Sequence, residues 1–156
     1  MKLDRTDFEI VNHLQNNARI SNKDLAAQCD ISPSTCLERV RRLQSAGVIR
    51  GYHADVDPAA MAIAVQAMIA VRLNQHGEVT FGNLRDDLLQ VPEVMAVYLI
   101  AGENDYLVHV AVKDVIHLRN LVGETLMNHR DIAHLETWLI FEHARKPQLP
   151  NYLDSP

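Results

Sequence analysis

Residues 20–47 read ISNKDLAAQCDISPSTCLERVRRLQSAG, and this stretch decides the fold of the first third of the chain. Ser21 is placed to cap a helix, with Asp24 three residues on in the acid position of a capping box. Leu25, Ala26 and Cys29 supply that helix with a buried stripe, and Asp30-Ile31 makes a short break. Ser32 then caps another helix whose first position is Pro33, where the missing N–H is no loss. The spacing predicts a helix to about Ala46, because Gly47 suits the left-handed conformation that ends helices. Two helices across so tight a break read as a helix-turn-helix.

Upstream, Leu3, Phe8, Ile10, Val11 and Leu14 recur near helical spacing, and Asn16-Asn17 ends the run. Downstream, Val48, Ile49, Tyr52 and Val56, interrupted by Gly51, predict a short strand pair or an extended linker. Asp57-Pro58 punctuates its end, with the domain boundary near Pro58 to Ala62. The remainder alternates in type. Val65, Ala67, Ile69, Val71 and Leu73 mark one face of a strand, and Gln75-His76-Gly77 a turn. Phe81, Leu84, Leu88 and Val91 form a helix stripe, and Val94 to Ala101 is a nearly continuous apolar strand. After a turn at Gly102-Glu103-Asn104-Asp105, Tyr106, Val108, Val110 and Val112 alternate along a third strand. Leu118, Leu121, Val122, Thr125 and Leu126 predict a second helix, and Leu135, Thr137, Leu139 and Phe141 a last strand. The order is β-α-β-β-α-β. Two helices cover only one face of such a sheet, so the other face is expected to bury against another chain. The tail from Arg145 reads as extended or disordered.

The chain has 156 residues, enough for one or two small domains. Hydrophobic residues at 47% and charged residues at 22% exclude a disordered chain. No apolar run approaches the roughly 18 residues of a membrane span, and no apolar signal core follows the start. Cys29 and Cys36 are too few for a disulfide framework, so the expected location is the cytoplasm with both thiols reduced. The net charge of −5 argues against nucleic acid, but the charge is uneven. Residues 1–50 carry eight Lys and Arg against six acids, whereas the rest carries seven against fourteen. An acidic chain can still present a local basic face to DNA.

On a wheel of the Pro33 helix, Cys36, Val40 and Leu43 stack on one side. Ser34, Thr35, Glu38, Arg41 and Arg42 point away, with Arg39 at the border. A major groove admits one α-helix, and such side chains read base edges. Arg41 and Arg42 can meet phosphates or bases. Asn22 and Lys23 start the preceding helix, where free N–H groups suit a phosphate. A solvated charge run is the plain alternative.

The stretch Ile20-Ser21-Asn22 through Leu25, Ile31-Ser32-Pro33, Cys36 to Leu43 and Gly47-Val48-Ile49 resembles the Lrp/AsnC family of bacterial and archaeal transcription regulators. So do Leu3 to Asp7, the turn Ala101-Gly102-Glu103-Asn104-Asp105-Tyr106-Leu107, and Gly123-Glu124-Thr125-Leu126. The similarity runs from about Leu3 to Glu142 and lies nearest the leucine-responsive regulatory protein branch. It implies an α+β chain with a winged-helix-like helix-turn-helix domain over 1–50 and a linker strand over 51–62. A ferredoxin-like βαββαβ effector-binding and oligomerisation domain then spans 63–144, with a tail over 145–156. It also implies a homo-oligomer, at least a dimer and commonly an octamer, that binds double-stranded DNA and regulates amino-acid metabolism. The DNA-binding candidates are Asn22, Lys23, Ser32, Pro33, Ser34, Thr35, Glu38, Arg39, Arg41 and Arg42. The resemblance carries an amino-acid effector, held between subunits, onto Ala101, Gly102, Glu103, Asn104 and Asp105. Asp105 or Glu103 could accept from its ammonium, and backbone N–H groups near Gly102 could donate to its carboxylate. Tyr98, Tyr106, Thr137 and Trp138 could wall its side chain. Gly and Asp also favour plain turns, which is the alternative. Asn128-His129-Arg130-Asp131 departs from the family pattern, so leucine is not carried over as the effector.

The eight histidines show no HExxH and no short paired spacing, so no metal or cofactor is expected. No Gly-x-Ser-x-Gly, phosphate loop or catalytic constellation appears. Three other readings stay open. One is a ligand-independent DNA-organising regulator. The second is a small ferredoxin-like enzyme using His109, Tyr98 and Trp138. The third is a protein-interaction module whose helix-turn-helix contacts protein.

Overall fold

Side-chain caps divide the first third of the chain into three helices. The computed structural model describes residues 2–74 and 78–152, with the side chains of 78–81 excepted. Helix α1 spans Arg5–Asn16, α2 Asn22–Gln28 and α3 Pro33–Ser45. Asp4 caps α1 in a full capping box with Asp7, a signal the apolar spacing did not reveal. Ser21 accepts from the Asp24 N–H at 3.1 Å, and its hydroxyl bonds the Asp24 carboxylate at 2.6 Å. Ser32 accepts from the Thr35 N–H at 3.2 Å. Gly47 (φ +70°) ends α3 as expected, and Asp30 takes the left-handed conformation in the break between α2 and α3. The Asn22 side chain donates to the Pro33 carbonyl at 2.8 Å and pins the two helix starts together. Ile10, Leu25, Ala26, Cys29, Cys36 and Leu43 form the core of this unit. Both cysteines are free and buried there, and burial raises both thiol pKa values.

The chain divides into two compact units, one of residues 1–55 with 144–156, the other of Val56–His143. One expectation changes here. Residues 51–57 form no strand, and 58–61 make a single 3-10 turn capped by Asp57. A strand needs a hydrogen-bonding neighbour, and Pro58 donates nothing. Residues 145–152 have no regular structure, as expected of the tail, and they are tied to α1. The Gln148 amide donates to Asn12 Oδ1 at 2.7 Å, and the Leu149 N–H donates to Gln15 Oε1 at 2.9 Å.

In the second unit, β1 spans Val65–Leu73, α4 Glu78–Leu88, β2 Val94–Leu99, β3 Tyr106–Val112, α5 Val115–Asn120 and β4 Ile132–Ile140. The expected turn at 75–77 lies outside the described residues. The sheet order is β2-β3-β1-β4, antiparallel throughout. Val65, Ala67, Ile69 and Val71 pair with Val112, Val110, Val108 and Tyr106, so one face of the two central strands is apolar and buried. Leu84, Leu88, Leu118, Leu121 and Leu126 belong to the same core. The predicted second helix differs in detail: after α5 it continues as a π-helical turn over Leu121–Leu126, closed by Met127 N–H to Val122 O at 2.9 Å. An i→i+5 turn absorbs an extra residue within a helix. Strand β2 is an edge strand, with Met95, Tyr98 and Leu99 exposed in the single chain.

Candidate nucleic-acid interface and effector turn

Helix α3 owes its direction to its buried stripe, Cys36 and Leu43, with Val40 packed beside them. Three arginines leave it, and the structure separates them. Asp7 is the only buried charged residue among those described, with 0% exposure. Arg39 Nη1 donates to Asp7 Oδ1 at 2.8 Å and to Asp4 Oδ2 at 2.7 Å. Arg42 Nη2 donates to both Asp7 oxygens at 2.8 Å. The Arg39 guanidinium holds the Asp4 carboxyl below its ordinary pKa, and the two carboxylates raise that of Arg39. Arg41 makes no ion pair among the described residues and is exposed.

At 100° per residue, Ser34, Glu38, Arg41 and Ser45 lie opposite the buried stripe. All four are exposed. Thr35, Arg39 and Arg42 lie toward the α1 flank. Lys23 is exposed on the first turn of α2. Asn22 and Ser32 are engaged in the turn and the cap, and the Ser34 and Thr35 hydroxyls both bond the Ser32 hydroxyl. Pro33 is exposed at the first turn of α3. Ser45 was not among the sequence candidates, although the same wheel reaches it. Asp4 and Asp7 were missed because only the fold brings residues 32 and 35 apart in sequence into contact.

The effector candidates do not form one wall. Gly102 takes φ +143°, a conformation that side chains other than glycine rarely adopt. A Cβ there would meet nothing within 4 Å, so the demand for glycine comes from the backbone itself. Asp105 ties the strands together: its carboxylate accepts from the Leu73 N–H at 2.8 Å, and its own N–H donates to Val71 O at 2.8 Å. Glu103 is exposed and lies 3.7 Å from Arg72. Ala101 is exposed and Asn104 half-buried. Tyr98 pairs with Leu107, and Trp138 with Met68, which places both on the uncovered face of the sheet. They sit on opposite edge strands, roughly 14 Å apart at about 4.8 Å per strand. Tyr106 is buried on the other face, where burial raises its pKa, and Thr137 shares that face.

Among the described residues no group of His, Cys, Asp and Glu is arranged to hold a metal. The histidines have separate partners: His109 bonds Gln66, His117 bonds Glu93 and His129 bonds Asp87. No helix among these residues is long and apolar enough to cross a membrane.

Comparison with known proteins addresses both units. A model of winged helix-turn-helix DNA-binding domains matches residues 3–50, and a model of the Lrp/AsnC ligand-binding domain matches residues 66–148. The HTH-type transcriptional regulator AldR of Mycolicibacterium smegmatis is 45% identical over 146 residues, covering 92% of this chain and 84% of that protein. The leucine-responsive regulatory protein of Escherichia coli is 33% identical over 144 residues, covering 92% and 88%. A transcriptional regulator from Neisseria meningitidis, solved as its L-Met complex, has a TM-score of 0.85 at 28% identity, covering 93% of this chain and 94% of that one.

Proposed function

The chain belongs to the Lrp/AsnC family of DNA-binding transcription regulators, and from that premise we propose that it is a sequence-specific regulator of amino-acid metabolism controlled by an amino-acid effector. Its relatives are transcription regulators and not enzymes, so the small-enzyme reading is set aside. The observation that carries the proposal is α3: a capped helix whose exposed line of Ser34, Glu38, Arg41 and Ser45 is backed by a buried stripe. Lys23 and the start of α2 contact phosphate, and the α3 line enters a major groove. Ser32, Pro33, Asn22 and Thr35 hold the helix starts in shape, and Arg39 and Arg42 act beside α1.

The effector, an amino acid as in the Neisseria relative's complex, binds at the turn around Gly102, with backbone N–H groups facing its carboxylate. Tyr98 and Trp138 are too far apart to wall one small ligand within a single chain. A site made between subunits is therefore the arrangement these residues favour. The uncovered sheet face supports a dimer, in which two α3 helices meet successive grooves about 34 Å apart. An effector that favours one assembly over another shifts the population. The protein acts in the cytoplasm, where its DNA is.

The test is thermal stability against the twenty amino acids, followed by DNA affinity with and without any hit. A ligand at about a hundred times its Kd stabilises by roughly 2.7 kcal/mol. One clear hit that also changes DNA affinity supports the effector reading. No shift with any of them favours the ligand-independent, DNA-organising alternative. Replacing Arg41 by Ala should flatten the salt dependence of DNA binding by about one contact.

A further inference from the structure

We infer that Asp7 is a specificity-determining positioning residue, which holds the Arg39 and Arg42 guanidiniums on α1 and keeps them off the DNA. The inference rests on α3 being the reading helix. Asp7 lies on α1 and takes three hydrogen bonds from arginines of α3, two of them from the single Nη2 of Arg42 to its two oxygens. Asp4 takes one more from Arg39. Arg39 therefore meets both carboxylates and Arg42 meets Asp7, at 2.7–2.8 Å, so two positive charges are offset by two negative ones. Charge-assisted bonds between a guanidinium and a carboxylate are roughly twice as strong as neutral ones. The Asp7 carboxylate is fully buried, so it has no solvent to replace a departing guanidinium. Arg42 is half-exposed, with 52% of its side chain accessible, so Asp7 rather than steric cover keeps it from reaching out.

The consequence concerns discrimination more than affinity. Sequence-independent DNA binding scales with the number of cations that neutralise phosphates, each contributing about 0.9 to the slope of log affinity against log salt. Three free arginines on α3 would strengthen binding to any duplex. With two of them held by Asp4 and Asp7, Arg41 is left to act beside the polar readers Ser34 and Glu38 on the outward line. The low background raises the ratio of specific to non-specific affinity without any contact between Asp7 and DNA.

The experiment measures affinity over a salt series for two duplexes: one selected from random sequence by the wild-type protein, and a scrambled control. Asp7→Asn should bind the scrambled duplex several-fold more tightly, steepen the salt slope by about one to two contacts, and narrow the preference for the selected duplex at least tenfold. Arg39→Gln and Arg42→Gln should leave the slope unchanged, whereas Arg41→Gln should flatten it by about 0.9. A merely structural role for Asp7 predicts something different: weaker binding to both duplexes with an unchanged slope. That result overturns the inference. So does a flattened slope in Arg39→Gln or Arg42→Gln, because those arginines would then touch phosphate. If Asp7→Asn loses its helical circular dichroism, the two arginine variants decide, since each keeps Asp7 paired with one guanidinium. An unchanged slope in all three arginine variants would show that α3 is not the reading helix, and the inference falls with that reading.

Discussion

The two units of the molecule finish their polar and apolar accounts differently. In the first, the one buried charged residue among those described, Asp7, is met by two guanidiniums and a backbone N–H from the same chain. Each of the three helices begins on a side-chain cap, and the tail bonds back onto α1. In the second, the two central strands bury one face completely, while the other face carries Tyr98 and Trp138, each 49% exposed. A unit built from short helices can satisfy itself locally. A four-stranded sheet with helices on one side does not, because the described helices of this unit pack on one face and leave Tyr98 and Trp138 half-exposed on the other. The difference separates tasks: the first unit has a complete shape to present to DNA, and the second has a surface that calls for company.

The comparison breaks most forcibly in the cores. Leu43 and Ile69 are both fully buried, one in each unit. Leu43→Ala and Ile69→Ala should each destabilise by about 2–5 kcal/mol in chemical denaturation. If the second unit is completed only by assembly, the Ile69 variant should regain stability as protein concentration rises, and the Leu43 variant should not. Equal insensitivity to concentration would remove the distinction. A smaller effect is expected on the open face. Trp138→Lys should shift the sedimentation distribution toward monomer while leaving secondary structure intact, since a charge there must be desolvated if the face is covered. An unchanged distribution would mean that this part of the face stays wet.

The mildest effect is on pH dependence. His109 lies on the open face, where burial first and the neighbouring His143 second lower its pKa below the ordinary 6.5. The neutral form is favoured in the folded chain, so its contribution is fully present above pH 6.5 and is lost as pH falls through the lowered value. His109→Gln should flatten the decline of stability on the acid side of 6.5, measurable as a change in midpoint across a pH series. Asp4 behaves alike at lower pH. Its carboxyl is depressed first by the Arg39 hydrogen bond, so its stabilisation is present above the ordinary carboxylate value of 3.8 and disappears as pH drops below it.

Much of this organisation was legible in the residues. Ser32-Pro33 and Gly47 marked both ends of α3, and the alternation in Tyr106 to Val112 marked a strand with one buried face. The α1 capping box was less visible. Asp4 and Asp7 stand at capping-box spacing, but Asp at the third helical position is a weaker sequence signal than the Glu or Gln that usually fills it. The π turn at Leu121–Leu126 leaves no periodicity signature, because it shifts the helix phase by only one residue. The candidate wall around Gly102 looked like one cluster in sequence because aromatic residues flank the turn. Strand alternation and sheet order sent Tyr98, Trp138 and Tyr106 to different edges and faces.

Local chemistry alone decided the caps, the helix ends, the strand faces and the order of elements, since each depends on side chains within about four residues of one another. What only the folded chain decided was which charges are free. A wheel plot sets Arg39 at the border of the buried stripe and Arg41 and Arg42 on the outer side, but it does not say which of them are paired. Their different fates follow from α1 passing on one side of α3, which brings Asp4 and Asp7 within 2.8 Å of two of them and leaves the third to solvent. Coulombic pairing falls off over a few ångströms, so no pattern along the chain can report it before the helices have packed.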